Sequence, residues 1–203
     1  MFKNLTFAAV AVAGIFVGFE SASAAMVGMP MGLKSALQYI RFETPTLPPM
    51  AYSQFCVRYQ DECRSRPMFR GGPVRLTAER WADLKEVNRN VNQDIIPERN
   101  ERGLAGETWL IGPDRGDCND YAVTKRHELM ERGWPARALL LSEVVTNTGE
   151  HHLVLVVRTK TGDLVLDNLT PQIRPWSRAP YRWIRIQSPN STKLWATIGG
   201  RSV

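Results

Sequence analysis

Residues 116–135 read GDCNDYAVTKRHELMERGWP, a run with no proline until its last position and with glycine at 116 and 133. The pattern predicts a helix that begins near Cys118 and ends around Arg132, with Gly133 in the C′ position and Pro135 just beyond. Downstream the period changes. Ala136 to Val145, His152 to Thr159, Leu164 to Asn168 and Tyr181 to Gln187 are short runs rich in β-branched residues, leucine and aromatics, which read as strands. Thr159-Lys-Thr-Gly-Asp163 is a turn signal joining two of them into a hairpin, with Gly162 free to take a positive φ. Upstream, Trp81, Leu84, Val87 and Val91 recur at helical spacing between Thr77, an N-cap candidate, and Asn92. Pro97 to Gly116 reads as loop. Helices first and antiparallel sheet second make an α+β fold.

The 203 residues, 43% hydrophobic and 23% charged, suffice for one domain with a real core and exclude collagen-like, coiled-coil and wholly disordered chains. The N-terminus has a different character. Lys3, an apolar run of 15 residues from Leu5 to Phe19, and Ala22-Ser23-Ala24 match a secretory signal peptide cleaved after Ala24. An uncleaved anchor is the competing reading, but the run is short of the roughly 20 residues a spanning helix needs. The expected organisation is a signal peptide at 1–24 and one domain at 25–203, periplasmic or secreted and not membrane-spanning after cleavage. Residues 25 to 75 are rich in Met, Pro and Gly, and Thr44 to Pro49 reads as an extended arm.

The net charge of +6 suggests an acidic partner. Export removes nucleic acid from serious consideration and favours disulfides. Cys56 and Cys63 are expected to pair, closing a loop of about eight residues that contributes roughly 2 to 3 kcal/mol on the chain-entropy account. Zinc is the alternative, but no further Cys or His pair completes a four-ligand set. Cys118 is left over, which in an exported chain marks a reagent or a liability.

At a helix start, unpaired N–H groups and the helix dipole favour the Cys118 thiolate, whereas Asp117 and Asp120 oppose it, so an imidazolium partner is called for. His151 and His152 are adjacent on a strand and point to opposite faces, so only one can serve as base. Asp167 lies across the hairpin and can fix the histidine's tautomer. If paired residue numbers sum to 319 or 321, Asp167 stands opposite or diagonal to His152; sums of 320 or 322 suit His151. A small buried cysteine at a helix start, and a surface histidine near a turn aspartate, are the bland alternatives.

Gly116-Asp-Cys-Asn-Asp-Tyr-Ala122 with Lys125-Arg126, His152-Leu-Val-Leu155 and Leu166-Asp-Asn168 together resemble the bacterial transglutaminase-like cysteine peptidases. Asn88 to Asn92, Trp109, Cys56 and Cys63 are similar to the family's pattern too. The resemblance implies a papain-like/transglutaminase-like core, with N-terminal helices packed on an antiparallel sheet. It selects His152 as base, Cys118 as nucleophile and Asp167 as orienting carboxylate. It further implies a protein substrate, with a surface adhesin and an inner-membrane regulatory receptor as family-level expectations. Family members that depend on calcium carry an acidic residue directly after the catalytic cysteine. Asn119 stands there in this chain, and the lost formal charge weakens a hard-cation site, so calcium is compatible with the chain but not implied by it. Helix capping accounts for Asp117 and Asp120 equally well.

The implied chemistry is acyl transfer through a thioester, with the Cys118 N–H as oxyanion donor. Trp109 either lends its indole N–H or simply packs. His127, nine residues along the same helix, is expected at a solvated surface about 13 Å from Cys118 along the axis. Arg174, Trp176, Arg178, Tyr181, Arg182, Trp183 and Arg185 interleave bases with aromatics, which suggests a solvated basic face or a groove for an acidic polymer. Two rivals to hydrolysis remain: a binding module whose triad has relaxed, and transamidation by an amine.

Overall fold

LLLSEVV at 139–145 and HHLVLVVRT at 151–159 are almost wholly buried along their lengths, which is why neither run alternates between apolar and polar residues. Strands covered on both faces have no reason to alternate. The computed structural model describes residues 38–64, 72–100 and 103–199, and it places these two runs at the centre of a seven-stranded antiparallel sheet. The expected signal peptide at 1–24, and the start of the expected domain, lie outside the described residues.

In chain order the elements are β1 (Arg41–Thr46), α1 (Met50–Arg58), α2 (Ala78–Asp94), β2 (Ile96–Pro97), the single turn α3 (Gly103–Gly106), β3 (Arg115–Gly116), α4 (Cys118–Glu131), β4 (Leu139–Val145), β5 (His151–Thr159), β6 (Gly162–Leu166), β7 (Arg174–Pro175), β8 (Arg182–Ser188) and β9 (Ser191–Gly199). The large sheet runs β1-β9-β8-β4-β5-β6-β7, and β2 pairs with β3 in a separate two-stranded sheet.

One face of the sheet is covered by helices. Leu84, Val87 and Val91 of α2 and Tyr121, Ala122, Val123 and Leu129 of α4 meet Leu153, Leu155 and Val157 of β5 in one buried cluster. Val154 and Val156, the alternate residues of the same strand, face a second cluster with Trp176, Trp183 and Ile186. Burying each such aliphatic side chain contributes roughly 1.5 to 3 kcal/mol relative to leaving it in water.

The ends of α4 follow its local chemistry. Gly133, at φ +82°, lets its own N–H reach Met130 O (2.9 Å) and the Trp134 N–H reach Leu129 O (3.0 Å), which closes the helix with a Schellman motif. At the other end Asp117 and Asp120 form a capping box. Gly116 is required there, because a methyl group on it would come within 2.8 Å of Asp120 Cβ. Thr77 Oγ1 accepts the Arg80 N–H at 3.2 Å, so α2 starts where its cap predicts and continues two residues past Asn92.

β5 and β6 join through the two-residue loop Lys160-Thr161, with Thr159 paired to Gly162, whose φ is +128°. Pairs such as Leu155↔Leu166 sum to 321, the diagonal register for His152 and Asp167. Besides the short β2, α3, β3 and β7, three longer elements go beyond the sequence reading. The extended arm becomes the edge strand β1, which hydrogen-bonds to β9. Met50 to Arg58 forms a helix in a stretch read as irregular, and β9 was not anticipated. β1 exposes Arg41, Glu43 and Thr44, and β9 exposes Leu194 next to Lys193 while burying Trp195 and Ala196 in succession, so neither advertises itself by apolar period.

Candidate active site

The α4 capping box does more than start a helix. Asp120 Oδ1 accepts the Leu110 N–H (2.7 Å) and Oδ2 the Asp117 N–H (3.0 Å), so a single carboxylate ties the 107–111 loop to the helix tip. Burial pushes the Asp120 carboxyl up to about 6, against the pull of those two amides. Asp117 Oδ1 in turn accepts the Asn119 N–H at 2.9 Å. These bonds fix Cys118 as the first helical residue, pointing into a cleft of about 210 Å³ that it shares with His152, Glu107, Trp109, Asn119 and Glu143.

His152 reaches this cleft from β5. It is 5% exposed, and its Nε2 lies 2.9 Å from Asp167 Oδ1. Asp167 follows β6 directly and is held from three further directions. Tyr181 donates its hydroxyl to Oδ2, the Leu169 N–H donates to Oδ1 at 3.0 Å, and Asn92 Nδ2 donates to the Asp167 carbonyl at 2.9 Å. Burial raises the Asp167 pKa, but the bonds from His152, Tyr181 and Leu169 outweigh it, and the carboxyl ends below its ordinary range. The Tyr181 hydroxyl is raised by burial and by its carboxylate partner, as a donor to an anion should be. His151 is exposed and bonds elsewhere, to Glu143 Oε1 at 2.6 Å, while Glu143 Oε2 takes Arg185 Nε at 2.5 Å. Burial and partner together distinguish the two histidines.

For the Cys118 thiol, burial joins the opposing carboxylates that the sequence names. Burial pushes it up to about 12; the Leu153 N–H pulls the other way, and the carboxylates of Asp117, Glu107 and Asp120 add to the rise. The helix start alone does not yield a thiolate, because desolvation and three nearby carboxylates exceed what about half a dipole charge supplies. The same Leu153 N–H places the sulfur beside the backbone that follows His152.

Glu107 is a site residue that sequence reasoning missed. Its Oε1 accepts the Trp109 indole N–H at 3.0 Å and the Asn119 side-chain amide. The indole donor of Trp109 is therefore committed, and Trp109, 2% exposed, packs in the core. No motif signals Glu107, since it lies in a loop. His127 corrects an expectation: its Nδ1 lies 2.7 Å from Glu62 Oε1, beside a buried Arg126–Glu62 pair, and is not simply solvated. Cys56 and Cys63 are bonded, and Cys118 is the free cysteine.

In this arrangement the residues beside Cys118 offer few uncommitted oxygens to a calcium ion. Both Asp120 oxygens and one Asp117 oxygen hold backbone N–H groups, while Asn119 donates its Nδ2 to Glu107 and keeps its carbonyl oxygen out of these bonds. Among the described residues no three His, Cys, Asp or Glu side chains gather as a metal cluster. A hard cation prefers several unencumbered oxygens.

Three structures of LapG from Legionella pneumophila are similar to this chain. A calcium-bound form is 26% identical, with 61% of this chain and 73% of that chain covered at a TM-score of 0.50. An EGTA-treated form is 25% identical over 61% and 69% at a TM-score of 0.49. A third LapG structure is 25% identical over 57% of this chain at a TM-score of 0.48, and the chain spans 66% of it, just under two-thirds of its length. No curated protein matches the chain. Residues 42–203 match the family model described as bacterial transglutaminase-like cysteine proteinase, BTLCP, and the chain belongs to that family.

Proposed function

We propose that the protein is an exported cysteine peptidase that cuts a protein substrate by way of a thioester on Cys118. The observation that carries this reading is the Nε2–Oδ1 contact of 2.9 Å between His152 and Asp167, made at the cleft that Cys118 also lines. Asp167 holds the far nitrogen of the imidazole, which turns the other nitrogen to the cleft. His152 then takes the Cys118 proton as the sulfur attacks the amide carbon and returns it to the leaving amine. Water releases the acyl group, and the restored thiol closes the cycle. The backbone N–H of Cys118, one of the helix-start donors, stabilises the charge that develops on the carbonyl oxygen.

A thiol raised to about 12 means that proton removal accompanies attack, in place of a resting thiolate. A thiol that rests protonated is also what a relaxed binding module would have, and that is the second reading. Turnover separates the two: cleavage by the wild type that vanishes in Cys118→Ala supports the peptidase, and equal cleavage by both removes it.

Export of a chain processed after Ala24 is supported by the Cys56–Cys63 disulfide, a bond that persists in oxidising compartments. No helix among the described residues is long and apolar enough to cross a membrane. The family resemblance points to a surface adhesin as substrate and an inner-membrane receptor as regulator. The catalytic roles fall on protein groups, and calcium stays compatible with the chain as a ligand of the Asp117–Asp120 segment. Mass spectrometry of proteins released from cells carrying wild type or Cys118→Ala identifies the substrate.

A further inference from the structure

The basic, aromatic run near the C-terminus divides once folded. Trp176, Tyr181 and Trp183 are buried in the second core cluster, and Arg185 is neutralised by Glu143. Arg174, Arg178 and Arg182 remain; Arg182 is exposed and lies outside the groove, whereas Arg174 and Arg178 meet Lys85 of α2 around a groove of about 600 Å³ lined by Trp81 and Ile173. None of these three cations takes part in an ion pair among the described residues. Arg174 is oriented but not neutralised: its guanidinium bonds to Gln172 Oε1 (3.0 Å) and Thr170 Oγ1 (3.3 Å), both uncharged. No carboxylate lines the groove. The carboxylates of Asp83 and Glu86, also on α2, are taken up by Arg132.

The groove shares no lining residue with the Cys118 cleft but is tied to the site through the chain. Its wall from Pro171 to Pro175 is the segment that leaves Asp167 for β7, and Asn88, 1% exposed, anchors that wall by donating to the Pro171 carbonyl at 3.1 Å. Four residues along α2, Asn92 anchors the Asp167 carbonyl in the same way. Unpaired positive charge around an apolar floor attracts an acidic chain that carries an apolar side chain, and steers it without fixing the cut.

The geometry points to the Lys85–Arg174–Arg178 groove as an exosite for an acidic segment of the protein substrate, an assignment that rests on the peptidase reading above. The occupant is a peptide, because the Trp81 and Ile173 floor offers a place to an aliphatic or aromatic side chain that a uniformly charged polysaccharide lacks.

The test uses the full chain with Cys118→Ala and a fluorescein-labelled peptide of alternating Asp, Glu and Leu, alongside its Asn/Gln analogue. Lys85→Glu/Arg178→Glu should weaken binding of the acidic peptide by about tenfold or more, and added salt should weaken wild-type binding in the same direction. Lys85→Gln/Arg178→Gln, which only removes charge, should fall between and guards against a misfolded charge reversal. Equal affinity of wild type and both variants, equal affinity for the neutral analogue, or tighter binding of polygalacturonate than of the peptide overturns the assignment. With Cys118 restored, the charge-reversed variant should raise KM for unfolded casein, an acidic protein, at unchanged kcat. Groove-dependent binding by a chain that cleaves neither casein nor any released surface protein would instead remove the peptidase reading, and the exosite role with it.

Discussion

His152 Nε2 and Asp167 Oδ1 stand 2.9 Å apart although His152 lies on β5, Asp167 directly follows β6, and the two do not face each other directly in the ladder. The diagonal offset leaves room for Tyr181 to occupy the other carboxylate oxygen. Asp167 is thus saturated on both oxygens by donors, and its carbonyl by Asn92. A carboxylate held this way orients an imidazole without competing for the proton on the cleft side.

Asp167→Asn should keep the fold and reduce kcat by roughly 10³-fold or more, because an amide presents the wrong donor to Nε2. Tyr181→Phe should cost far less, since it removes one of several bonds to a carboxylate that His152 and the Leu169 N–H still hold. Initial rates with circular dichroism of each variant check the pair. An Asp167→Asn enzyme at wild-type speed contradicts the proposed role.

The Cys118 thiol gives a prediction in pH. With the thiol pushed up to about 12, the thiolate fraction at neutral pH is on the order of 10⁻⁵, against a few per cent for an ordinary cysteine. Iodoacetamide should therefore label the native chain much more slowly than the denatured one, with the rate rising about tenfold per pH unit from neutral to pH 10. A plateau in that range would show a thiolate–imidazolium pair at rest.

Much of this site was legible before folding. The caps of α4 and the turn at Gly162 are written locally, in Asp117, Gly133 and Gly162, because a cap or tight turn needs particular residues at particular positions. Choosing His152 over His151 needed the register, which sequence narrows to two classes but does not fix. Glu107 and Tyr181 were invisible as site residues, and Asn92 was marked by the resemblance without a role, because their roles depend on contacts across 12, 14 and 75 positions. The opposition of Asp117 and Asp120 to a thiolate was legible, but the larger cause, burial, was not, because desolvation depends on how many atoms from distant segments crowd the sulfur.

Lys125, 1% exposed, lies with its ammonium 5.9 Å from the Tyr121 ring centroid. Burial pulls its pKa down to about 7, only partly offset by the charge of Asp167. The folded pKa lies below the unfolded one, so between about pH 7 and the ordinary lysine value near 10.4 the unfolded chain binds the extra proton. This group's contribution to stability accordingly rises with pH through that window. Lys125→Met, of similar length, should be more stable than wild type at pH 7, with the difference shrinking by pH 9. Urea melts of the two chains at matched pH values measure it; a difference that does not change with pH contradicts the assignment.

Calcium offers a contrast between this chain and a charge-richer variant. Millimolar calcium after EGTA should move the wild-type Tm by no more than about 1 °C, because a site with Kd near the added concentration gains only about 0.4 kcal/mol. Asn119→Glu should lower Tm in EGTA by setting a second carboxylate against Glu107, and calcium should restore it. A large calcium shift in the wild type would mean that the Asp117–Asp120 cap opens to take the ion.

The buried Arg126–Glu62 pair connects α4 to the disulfide loop. Arg126 Nη1 lies 2.5 Å from Glu62 Oε2, and both side chains are under 10% exposed. Arg126 also donates to the Glu62 and Leu139 carbonyls, at 3.0 and 3.2 Å. Removing only the cation strands a carboxylate in the interior with His127 as its one remaining side-chain partner. Arg126→Met should therefore cost about 3 to 5 kcal/mol, whereas Glu62→Met/Arg126→Met, which buries no charge, should recover most of the loss. Chemical denaturation under oxidising conditions, with Cys56–Cys63 intact, reads both. If the double variant proves no more stable than Arg126→Met, the backbone carbonyl bonds of Arg126 rather than its charge pairing hold the helix to the loop.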